Sequence, residues 1–99
     1  MLSITKNVDE SNVYFALDGR LDTDTAPKLE TAVEDAIDGA TSLVFDLKGL
    51  EYISSTGLRV FLYAQKIMKV KGEMKILNVC QAVKDIFDIT GLSDVLTIE

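Results

Sequence analysis

Ser42–Leu47 reads SLVFDL, with Leu43, Val44, Phe45 and Leu47 apolar, bounded by Gly39 on one side and Lys48-Gly49 on the other. A run this short and this apolar is a strand, and a strand lacking polar alternation belongs inside a sheet, covered on both faces. Such a segment needs strands beside it and helices above it. The flanking sequence supplies both.

Upstream, Leu2 to Lys6 alternates apolar and polar residues as an edge strand does. Asn12 to Leu17 places Val13, Phe15 and Leu17 on one face, and the polar stretch Asn7 to Ser11 joins the two as a hairpin. Gly19 interrupts that pattern. Between Gly19 and Gly39, Thr25 stands where a helix cap belongs and Pro27 in the first turn. Leu29, Ala32, Val33, Ala36 and Ile37 then form a stripe at helical spacing.

Downstream, a turn is expected at Lys48-Gly49. A helix is expected over Leu58–Val70, ending at Gly72 with lysines in its last turns, as the helix dipole favours. This helix carries more apolar residues than one buried stripe requires, so a part around Arg59, Tyr63 and Lys66 is left for docking. Met74–Leu77 reads as a strand, Ala82–Ile89 as a short helix turning Val83, Ile86 and Phe87 inward, and Val95–Ile98 as a last small strand. The order β-β-α-β-α-β-α-β predicts an α/β fold: a mixed sheet of four to five strands packed with three to four helices and joined by right-handed crossovers. Neither a linker nor an internal repeat divides the 99 residues, so one domain is expected over 1–99.

Composition narrows function. The chain has no histidine and a single cysteine, Cys80, which excludes histidine-based triads, cysteine-built metal clusters and an internal disulfide. Cys80 is expected to be a small packed residue at the start of the last helix. A formal charge of −6, spread along the chain, disfavours nucleic-acid and anionic-membrane partners, which need a basic face. The opening MLSITKNVDES has neither the basic stretch nor the apolar run of a secretion signal, and Val60–Val70 is too short and too charged to span a bilayer. A cytoplasmic protein without cofactor is expected.

Ile53-Ser54-Ser55-Thr56-Gly57-Leu58 sets three hydroxyls between the end of a strand and the start of a helix. A helix N-terminus presents unpaired N–H groups and partial positive charge, so a hydroxyl there either caps the helix or accepts a phosphate that meets ready-made donors. Gly57 is expected to leave the backbone open to another protein. Nucleophilic catalysis by Ser55 lacks a base, since there is no histidine and the residue three positions on is Leu58 rather than lysine. The phosphate-cradling glycine-rich pattern is absent too. The serine therefore reads as a substrate and not as a catalyst.

Three motifs occur in order. They are Gly19-Arg20-Leu21-Asp22 with Thr25-Ala26 after it; Phe45-Asp46-Leu47 followed by Ser54-Ser55-Thr56-Gly57; and Phe87-Asp88-Ile89-Thr90-Gly91-Leu92. Together they resemble the STAS-domain anti-sigma factor antagonists over nearly the whole chain. The resemblance implies partner switching. The unmodified protein binds an anti-sigma factor that is also a GHKL-type serine kinase; phosphorylation on Ser55 releases it, and a PP2C-type phosphatase resets the switch. It also implies that Asp22 and Asp24 take part in recognition with Ser54, Thr56, Gly57, Arg59 and Tyr63, and that Asp46 supports the loop; for so small a switch a monomer is the simplest expectation. Many members carry Asp before the acceptor. Here that position is Ser54, which makes Ser54, like Thr56, an alternative acceptor, and Arg59 places a long cation within reach of the phosphate. The alternative reading is a STAS-type sensor binding a nucleotide or other small ligand between the loops that carry Asp22 and Ser55.

Overall fold

The computed structural model describes residues 1–99. Strands β1 (Leu2–Asp9) and β2 (Asn12–Leu21) pair antiparallel, and β3 (Ser42–Ile53) and β4 (Glu73–Leu77) add in parallel, in the sheet order β1-β2-β3-β4. Helix α1 (Ala26–Ile37) connects β2 to β3, and α2 (Ser55–Lys71) connects β3 to β4. Helix α3 (Gln81–Ile89) and a 3-10 turn at Leu92–Asp94 follow. The result is the expected α/β fold with a mixed four-stranded sheet and three α-helices.

The helices cover one face only. Phe15, Phe45 and Ile76 lie side by side across β2, β3 and β4 and are fully buried. The adjacent rows, Tyr14–Val44–Lys75 and Ala16–Asp46–Leu77, are only partly covered. The core runs from sheet to helices through aromatic contacts: Phe15 stacks on Phe45 at 5.5 Å, Phe45 meets Phe61 edge-on at 4.9 Å, and Phe61 meets Phe87 at 6.0 Å. The expectation that Ser42–Leu47 is covered on both faces is thus corrected. In that run Val44 is the only apolar residue on the far face, and Ser42 and Asp46 flank it.

The expected hairpin is present with a shorter turn, and two expected breaks are not breaks. The hairpin closes over Glu10-Ser11 alone, with Asp9 opposite Asn12 and Glu10 at φ +57, since so short a loop needs left-handed backbone. Gly19 lies inside β2 at φ +107. A Cβ there would stand 2.2 Å from the Met1 carbonyl oxygen, so the position demands glycine. At Lys48-Gly49 there is no turn, and β3 runs on to Ile53. Ala16 pairs with Asp46, Asp18 with Gly49 and Arg20 with Tyr52, so β3 gains two residues on β2 over this stretch through two register shifts. Such bulges let Leu47, Leu50 and Ile53 all reach the core despite their spacing of three.

The C-terminal segment also differs from its reading. Instead of a strand over Val95–Ile98 there is one parallel bridge, Ile76 to Ile98, whose bonds are Ile76 N–H to the Thr97 carbonyl and Glu99 N–H to the Ile76 carbonyl, both 2.9 Å. Cys80 is exposed rather than packed and caps α3 by position only, its thiol 3.5 Å from the Leu50 carbonyl oxygen.

Candidate functional site

The C-terminal ends of β2 and β3 lie together, Leu21 opposite Ile53, so the loops that leave them are neighbours. The first loop, Asp22 to Thr25, is closed by its own side chains. The Asp22 carboxylate accepts the N–H groups of Asp24 and Thr25 at 3.0 Å each, and the Thr25 hydroxyl accepts the Asp22 N–H at 2.9 Å and donates to the Arg20 carbonyl at 2.8 Å. Thr25 occupies the expected cap position of α1, yet its hydroxyl bonds back into the loop and not to the helix. The N–H of Thr25, with that of Asp24 behind it, holds the Asp22 carboxyl below the usual carboxylate range. Asp24 itself is exposed.

The second loop is the Ser54 turn. Here α2 starts at Ser55, three residues earlier than its apolar stripe indicates. Ser54 is the cap: its backbone is extended at φ −95, ψ 172, its hydroxyl accepts the Gly57 N–H at 3.3 Å, and its own N–H donates to the Leu21 carbonyl at 2.8 Å. Thr56 is half-buried, its hydroxyl 3.4 Å from that of Thr23 across the two loops. Between them Ser55, first residue of the helix, is exposed.

Gly57 is buried, which corrects the expectation of open backbone there. A Cβ at this position would lie 2.7 Å from Leu21 Cγ and 3.1 Å from Ile53 Cγ1. Its missing side chain brings α2 close to the strands. Arg59 follows Ser55 by one helical turn and is exposed, and Tyr63, a turn further, keeps 39% of its surface in water.

Asp46 does not reach this turn. Its carboxylate accepts the Tyr14 hydroxyl at 2.5 Å, the Asn78 amide at 3.0 Å and the Lys48 N–H at 3.0 Å, tying β2 and β3 to the turn after β4 on the uncovered face. The Tyr14 hydrogen bond, then that of Asn78, lowers the Asp46 pKa, and the same bond raises that of Tyr14. Thr23 and the Leu21 carbonyl were invisible to sequence reasoning, because their part depends on the register that sets Leu21 beside Ile53. There is no concavity between the two loops; the one the molecule possesses lies on the uncovered sheet face. No helix is long and apolar enough to cross a membrane.

With this geometry in hand, the comparisons with known proteins agree with one another. The family model described as STAS domain matches residues 3–99. The chain is similar to the anti-sigma-B factor antagonist of Bacillus subtilis (strain 168), 30% identical over 98 residues that span 98% of this chain and 90% of the relative. Among solved structures it is similar to an anti-sigma factor antagonist from Mycobacterium paratuberculosis, with a TM-score of 0.90 at 21% identity over 99% of this chain and 85% of that one. It is similar also to the phosphorylated form of the Bacillus cell fate determinant SpoIIAA, with a TM-score of 0.77 at 20% identity over 98% of this chain and 91% of that one. At such identities the solved structures establish the fold alone.

Proposed function

The chain belongs to the STAS domain family, and on that footing we propose that it is an anti-sigma factor antagonist whose grip on its partner is governed by phosphorylation of Ser55. Unmodified, it binds an anti-sigma factor that doubles as a GHKL-type serine kinase; the modified form lets go, and a PP2C-type phosphatase restores it. It acts by binding rather than catalysis, as a cytoplasmic monomer.

The observation that carries this reading is the division of labour among three adjacent hydroxyls. Ser54 is engaged as the cap of α2, Thr56 is half-buried against Thr23, and Ser55 alone is exposed, where a kinase active site has access. A phosphate at this first helical position adds about −1.5 to −2 charges and three acceptor oxygens. Against a partner seated on Ser55, that means added bulk and a charge that must lose its water. A penalty of about 3 kcal/mol weakens a complex roughly a hundredfold or more, so the switch needs no refolding.

The test is to incubate the protein with ATP and the GHKL-type anti-sigma kinase of the same cell, then locate the phosphate by intact mass and peptide mapping. Phosphate is expected on Ser55 and absent from Ser55→Ala, with Ser55→Glu binding the kinase roughly a hundredfold more weakly than Ser55→Ala. Equal binding by the two variants defeats the reading, and phosphate on Ser54 moves the acceptor.

A further inference from the structure

The face of the sheet that the helices leave bare holds a concavity of about 580 Å³, and nothing in the partner switch uses it. Two successive cross-strand rows build it. In the first, Thr5, Ala16 and Asp46 stand side by side on β1, β2 and β3; in the second, Ser3, Asp18 and Gly49. Ala16 is the floor, a small residue between a hydroxyl and a carboxylate whose strands lie about 10 Å apart, two strand spacings. Gly49 keeps the second row low, since a Cβ there would stand 2.7 Å from the Asp18 carboxyl carbon. The bulges on β3 bring Lys48 to the same rim.

The polar groups around this floor are unevenly engaged. Asp46 is ionised and held by three donors, two on Oδ1 and one on Oδ2, which leaves Oδ2 one acceptor position. Asp18 and Lys48 are exposed and enter none of the chain's ion pairs. Ser3 and Thr5 bring exposed hydroxyls from the opposite wall. Asp46 anchors the turn at Asn78, and Asp18 and Lys48, both free of ion pairs, line the same concavity, so charges of both signs meet there.

From this arrangement we infer a binding site for a small zwitterion that carries an ammonium group at one end and a carboxylate at the other. The ammonium lies between Asp18 and Asp46 Oδ2, and the carboxylate takes Lys48 and the Ser3 and Thr5 hydroxyls as donors. The inference does not depend on the phosphorylation switch.

The test follows backbone amide shifts of the full chain during titration with γ-aminobutyrate, using butyrate and butylammonium as single-charge counterparts. Saturable shifts at Ser3, Thr5, Ala16, Asp18, Asp46 and Lys48 are expected at millimolar γ-aminobutyrate. Each counterpart should bind at least roughly tenfold more weakly, as should Asp18→Asn toward γ-aminobutyrate, because each loses one charge-assisted contact. Ala16→Leu fills the floor and abolishes the shifts; Asp18→Asn, at an exposed position, leaves the fold intact and keeps the test meaningful should Ala16→Leu disturb the sheet. Absence of saturable shifts, equal binding by butylammonium, or shifts confined to the Ser54–Gly57 turn would each overturn the assignment.

Discussion

The Ser54 hydroxyl accepts the Gly57 N–H as the cap of α2, whereas the Ser55 hydroxyl, one residue on, lies at the surface. The two are alike in chemistry and opposite in consequence. Ser54→Ala should cost about 0.5–2 kcal/mol of stability by leaving a helix donor unpaired. Ser55→Ala should stay within about 0.5 kcal/mol of the parent while abolishing phosphorylation. Urea unfolding of the two variants separates them, and a larger loss for Ser55→Ala would show that Ser55, not Ser54, holds the turn. Gly57→Ala must push Leu21 or the helix aside to make room for a Cβ 2.7 Å from Leu21 Cγ. Overpacking of this kind costs about 1–3 kcal/mol, or several degrees and more of melting temperature in a domain of this size. Thermal melts followed by circular dichroism test it.

At the level of elements, β3 joins the two halves of the molecule, since both register shifts and the Tyr14–Asp46–Asn78 cluster fall on it. The Asp46 carboxyl titrates below its unfolded value, so its stabilisation is full above the ordinary carboxylate range and is lost as pH falls through the lowered folded value. Tyr14 titrates above its unfolded value, so its share is present at neutral pH and disappears only on the alkaline side. Asp46→Asn should therefore lower the urea midpoint at neutral pH, and the gap from the parent should narrow on acidification; a gap independent of pH would show that the charge has no part. The apolar stripes and the strand alternation were legible in the sequence, as was the serine turn, because each is a local pattern. What escaped was the length of β3. Lys48-Gly49 looks like a turn, and only pairing with β2 shows that it is a bulge that keeps Leu50 and Ile53 in the core. The start of α2 escaped as well, since Ser55 and Thr56 carry no apolar signal and enter the helix because Ser54 caps it. That Asp22 spends its carboxylate on its own loop was equally hidden, as it depends on backbone geometry rather than on residue type.

On the scale of the whole molecule, the chain is two layers thick, helices on one side and bare sheet on the other, and its charge of −6 is not uniform. Helix α2 carries Arg59, Lys66, Lys69 and Lys71 and no acidic residue, while α1 beside it exposes Glu30, Glu34 and Asp35. Ser55 thus heads the one basic helix of an acidic protein. The two rims of the sheet are also unlike. The outer edge of β1 has no partner strand, while that of β4 is clasped at Ile76 by Thr97 and Glu99, with Lys75 and Glu99 paired at 3.6 Å. Deuterium should therefore enter from the β1 side first, within the earliest exchange times, while the amides of β2 and β3, flanked by strands on both sides, exchange last. Removing Thr97 to Glu99 should then give the Ile76 amide, and few others, the fast exchange of the open rim.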